Sequence, residues 1–99
     1  MTKIKNLVNQ IDEELESAKG YAESYVECKA KGNANYANKY KEMAMQELNH
    51  AMFIHEITVK EIEELEKTVV APAEMKEKWN KDHEAYVEKS AWIKQMLTL

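Results

Sequence analysis

With 44% hydrophobic and 32% charged residues, 99 residues suffice for one folded domain and lie far from the composition of a disordered segment. The net charge of -4, and a basic complement made entirely of lysine with no arginine for bidentate contacts to phosphates or base edges, argue against nucleic acid as a partner. The lone Cys28 excludes an internal disulfide and a cysteine-rich zinc module and fits a reducing compartment, so a cytoplasmic location is expected. There is no basic start followed by a hydrophobic stretch, and no apolar run approaches the roughly 20 residues that span a bilayer, so neither export nor membrane insertion is expected.

Two glycines and one proline leave few places to turn, and the alternation expected of strands is missing. The chain therefore reads as all-α, a single helical domain over residues 1–99 with three long helices. The first is predicted over about 3–31, where Ile4, Leu7, Val8, Ile11, Leu15, Ala18, Tyr21, Ala22 and Tyr25 recur at three- and four-residue steps. Gly20 is a weak point inside it, tolerable where another backbone approaches closely. Gly32 supplies a left-handed stop, and Asn33 or Asn35 can cap the next helix.

The second helix is predicted over about 35–68. Tyr40, Met43, Ala44, Ala51, Ile54 and Ile62 form its buried face, and Met45, Leu48, Met52 and Val59 form a second apolar stripe. Val69 to Ala71 read as a short extended link, and Pro72 suits the first turn of a helix over about 73–97. That third helix carries Met75, Trp79, Tyr86, Val87, Ile93 and Leu97 on one side, with Trp79 and Trp92 as packing anchors. Rods of about 40 Å joined three at a time expose much apolar surface, so self-association is expected.

Glu47 and His50, a Glu-x-x-His pair, fall within the face of the second helix that should be apolar. Sixteen glutamates in 99 residues make that spacing weak evidence alone, so register has to decide its meaning. A carboxylate and an imidazole withdrawn from water each cost several kcal/mol, roughly, unless compensated, and a bound metal ion can compensate both. On the first helix Glu14 lies three residues after Ile11 and four before Ala18, at the border of that buried stripe. The expectation is that Glu14, Glu47 and His50 converge. A di-iron or di-manganese site in a four-helix bundle takes one Glu from each of two helices and a Glu-x-x-His from each of the other two. One chain holds half that set, so two copies about a two-fold axis would complete it.

The stretch Ala37-x-x-Tyr40-x-x-Met43-Ala44-x-x-Glu47-x-x-His50-Ala51 resembles the metal-binding second helix of ferritin-like proteins, the rubrerythrin branch most of all. Glu14, with Tyr21 seven residues later, is similar to the first-helix ligand of that branch, and the half-set of ligands resembles encapsulated ferritins. The resemblance covers the first two helices and leaves the third unexplained. It implies helices one and two as an antiparallel hairpin that forms a ferritin-like four-helix bundle by dimerisation, in a homodimer or higher homo-oligomer. It implies two iron ions per dimer site, or manganese, and a ferroxidase-type oxidation of Fe(II) by oxygen or peroxide. In that site Glu14 and Glu47 would hold and bridge the metals, His50 would cap them, and Tyr21 or Tyr40 would hydrogen-bond a carboxylate from behind.

The competing reading is a non-enzymatic helical interaction protein, such as a phage or mobile-element adaptor with no functional metal. A third is a structural zinc held within one chain by Glu47, His50 and a residue of the third helix such as His83. His55, five residues from His50, points about 140° away from it and is assigned to the surface or an interface.

Overall fold

The computed structural model describes residues 2–68 and 73–99. These form three α-helices, α1 (Thr2–Ala30), α2 (Ala34–Thr68) and α3 (Ala73–Met96), and no strand among the described residues. The extended link expected over Val69 to Ala71, and Pro72, lie outside the described residues. No described helix is long and apolar enough to cross a membrane.

The α1–α2 turn is set by two residues. Gly32 takes φ +77°, the left-handed conformation that glycine adopts without Cβ strain. Its N–H donates to the Lys29 carbonyl at 3.0 Å and that of Asn33 to the Cys28 carbonyl at 2.9 Å, so the last carbonyls of α1 are satisfied in a Schellman arrangement. Asn33 also opens α2: its side-chain oxygen accepts from the Tyr36 N–H at 3.2 Å, and its carbonyl accepts the Ala37 N–H at 3.0 Å. One asparagine thus ends one helix and caps the next.

Along the helices, Lys3 meets Glu61, Glu14 meets His50, and Tyr21 stacks on Tyr40 with ring centroids 6.4 Å apart. The contact is lined by small side chains: Ala18 and Ala22 of α1, and Ala37, Ala44 and Ala51 at seven-residue steps on α2, are all buried. Small residues let the two backbones approach closely. Larger core groups come from Ile11, Leu15, Tyr25 and Leu48, and Thr58 is fully buried with its hydroxyl donating to the Ile54 carbonyl at 2.7 Å.

α3 attaches through few groups. Ile93 and Leu97 are its buried apolar residues, Lys89 pairs with Glu16, and Lys29 of α1 donates to the Leu99 carbonyl. The molecule measures 55 × 17 × 16 Å, and its radius of gyration of 16.1 Å exceeds the roughly 13 Å of a compact 100-residue domain. Five of the eleven buried apolar residues are alanines, so the core draws on little apolar area per residue.

Several sequence expectations are corrected here. Met43, Met45 and Met52 were expected in buried stripes and are 37–51% exposed, because α1 covers the alanine line of α2 and not the methionines. Val87 and Trp92 are also exposed, at 50% and 57%. Gly20 is exposed, with nothing within 4 Å of the position a Cβ would take, so no close backbone approach explains it.

Candidate metal centre

Glu14 comes from the middle of α1, and Glu47 and His50 lie one turn apart on α2. Each offers one ligand atom, and the three atoms lie within 4.8 Å of one another, the one such group of three or more acidic, histidine or cysteine side chains among the described residues. His50 Nδ1 stands 3.7 Å from a Glu14 carboxylate oxygen and 3.9 Å from one of Glu47. Both distances are too long for hydrogen bonds. They do match donors about one ion, since ligands each about 2.0–2.2 Å from a metal stand roughly 3–4 Å apart.

The electrostatics are those of a crowded anionic corner. The neighbouring Glu47 carboxyl, then burial and the Glu47 charge, hold Glu14 above its ordinary value of 4.5, while His50 pulls the other way. Among the described residues neither carboxylate is paired with a lysine; the basic side chain that approaches both is His50. Two carboxylates without a fixed counter-charge, with an imidazole nitrogen facing both, are a donor set that suits a hard or borderline divalent cation such as iron or manganese.

The register predicted a trio sealed in the interior, and the structure corrects this. The side chains of Glu14 and Glu47 are 28% and 24% exposed, and that of His50 is 56% exposed. The reason is rotational: Ala44 and Ala51 face α1, and Glu47 and His50 follow Ala44 by three and six residues, so they turn about 60° and 120° away from it. They lie along a lateral face instead. That face is apolar on both sides of the trio: Tyr36, Met43 and Ile57 stand at seven-residue steps from His50 and are 58%, 37% and 48% exposed, with Tyr40 and Ile54 beside them. The seven-residue spacing was present in the sequence, but it carried no information about which stripe would stay uncovered.

Tyr21 and Tyr40 pack on each other and against the core, and neither hydroxyl is hydrogen-bonded to Glu14, Glu47 or His50. His83 does not join Glu47 and His50. It sits on α3 against His55, with His55 Nε2 2.9 Å from His83 Nδ1. A zinc site combining Glu47, His50 and His83 is therefore not assembled. His55 stacks on Tyr86 at 4.6 Å and on Trp79 at 5.7 Å, so it belongs to the α2–α3 contact. Burial and then the neighbouring His83 push the His55 imidazole below its ordinary 6.5, against Glu56. This pair was missed in the sequence, where the available signal was the Trp79, His83 and Tyr86 stripe at helical spacing.

Compared with protein-family models, with curated proteins and with solved structures, the chain matches none. Its class is an all-helical, three-helix protein, and its function has to be argued from the site itself.

Proposed function

We propose that this protein is a ferritin-like metal-binding protein in which α1 and α2 form an antiparallel hairpin and two copies build a four-helix bundle around a dinuclear iron or manganese centre. The observation that carries the reading is the approach of Glu14, Glu47 and His50 from two helices to within 4.8 Å, with no lysine answering the two carboxylates among the described residues. One chain supplies two carboxylates and one imidazole, half of the donor set of a di-metal bundle.

The exposure of the trio supports the second copy. A half-site needs an open side, and His50 at 56% side-chain exposure provides it. Tyr36, Met43 and Ile57 flank that opening as an apolar seam, and burying them against an identical seam about a two-fold axis would bring the second half of the ligands to the same place.

Bound iron would supply one-electron redox chemistry and Lewis acidity. The residues of this chain do the rest. Glu14 and Glu47 would hold the cations and neutralise their charge, and His50 would supply a nitrogen ligand. Closure of the apolar seam excludes water and strengthens each charge contact inside it. Oxidation of Fe(II) by oxygen or peroxide is the reaction class this donor set serves.

Metal analysis of protein purified without chelators and loaded with Fe(II) tests the proposal. The expected result is two ions per dimer in the parent and marked loss in Glu47→Ala and in His50→Ala. Parent stoichiometry in both variants would end it, and metal-free parent protein would favour the helical interaction protein instead.

A further inference from the structure

A second pair of metal-ligating side chains lies outside the trio, on the other contact of α2. His55 and His83, 28 residues apart in sequence, bring Nε2 and Nδ1 to 2.9 Å from each other. His55 is half-buried and His83 exposed, so one ring is fixed by packing and the other is open to solvent. The ring of His55 is clamped by stacking on Tyr86 at 4.6 Å, with planes only 8° apart, and on Trp79 at 5.7 Å.

We propose that His55 and His83 form a separate site for an imidazole-preferring divalent cation of the Ni2+ or Cu2+ kind, which clips α3 to α2. The bite suits cations with right-angle ligand geometry: two nitrogens each about 2.1 Å from one ion at a right angle stand about 3.0 Å apart, whereas tetrahedral zinc would set them about 3.4 Å apart. The ligands are right as well, because neutral imidazole favours these cations while the carboxylate-rich trio favours harder ones. In the metal-free protein one ring donates a hydrogen to the other. On metal binding that hydrogen moves, by exchange with solvent, to the second nitrogen of its own ring, which leaves two lone pairs for the ion and no net change in protons. No third acidic, histidine or cysteine ligand stands within reach among the described residues, so water completes the coordination shell. Micromolar binding is the scale for such a two-histidine chelate.

The consequence is structural. The upper half of α3 has no buried apolar residue; those of α3 and its end are Ile93 and Leu97. Beside the histidine pair, Trp79 and Met75 border a cavity of about 610 Å³ together with Ile4, Val8 and Ile62 of the other two helices. A cation joining His55 to His83 would hold this loosely packed end closed. The proposal is independent of the Glu14, Glu47 and His50 reading.

The test uses Trp79 as reporter. In a Trp92→Phe background, Ni2+ alone is titrated and Trp79 fluorescence followed. The expected result is saturable quenching at micromolar Ni2+, at least ten-fold weaker after His83→Ala and unchanged when Glu14, Glu47 and His50 are all replaced by glutamine. Because His83 is exposed, its removal should leave the fold intact, and in the triple glutamine background Ni2+ should raise the Tm, an effect lost when His83→Ala is added. Quenching that survives His83→Ala, quenching lost in the triple glutamine variant, or no saturable quenching at all would overturn the assignment.

Discussion

Removing one carboxylate from the trio should stabilise the metal-free protein. The ligand oxygens of Glu14 and Glu47 lie within 4.8 Å, and two unit charges at that separation repel by about 0.9 kcal/mol in bulk water and about 3.5 kcal/mol at an effective dielectric constant of 20. Their partial exposure favours the lower end, so Glu47→Gln should gain on the order of 1 kcal/mol near pH 7.5. The sign agrees with the raised pKa of Glu14: a carboxyl that holds its proton more tightly when folded stabilises below its ordinary 4.5 and loses that contribution as pH rises through the folded value. Thermal unfolding with a chelator present should therefore show a Tm rise of about 4–8 °C for Glu47→Gln in a domain of this size. Added Fe(II) or Mn2+ should stabilise the parent and not the variant, so the ranking inverts with metal. If Glu47→Gln is instead less stable than the parent without metal, the carboxylate is making a net favourable polar contact and the metal-site reasoning is wrong.

The two glycines should respond in opposite directions. Gly20→Ala, exposed in mid-helix with open space at Cβ, should gain about 0.5–1 kcal/mol in urea unfolding, whereas Gly32→Ala at φ +77° should lose about 1–2 kcal/mol. Leu15, 1% exposed one turn before Ala18 on α1, should cost about 2–5 kcal/mol when cut to alanine, and a loss below 1 kcal/mol would mean that the α1–α2 packing is misassigned. His55 has a folded pKa below 6.5, so the unfolded chain binds the proton first. Stability with chelator present should fall as pH drops through 6.5 and level off below the folded value, and His55→Gln should flatten that segment of the curve.

The helices were legible in the sequence because their signals are local. Gly32 marks the first turn, with the cap read as Asn33 or Asn35 and found at Asn33, and the periodicity from Ile4 to Tyr25 needs no tertiary information. The rotation of α2 was not legible. Met43 and Ile54 fall on the same broad apolar sector as Ala44 and Ala51, and periodicity weights large side chains above small ones, while close packing against α1 selects the alanines. That single rotation moved Glu47 and His50 from an expected interior to a lateral face. Their approach to Glu14 survived because one turn of α2 still passes beside the middle of α1. The His55–His83 contact joins residues whose meeting depends on how α3 packs back, which no short-range pattern encodes.

Native mass spectrometry of anaerobically Fe(II)-loaded protein tests the half-site idea most directly, because it reads subunit number and metal count on one particle. A dimer carrying two ions, reduced to a metal-free species by Glu47→Ala or His50→Ala, is the predicted spectrum. A monomer without metal, or iron retained in full by both variants, would contradict it.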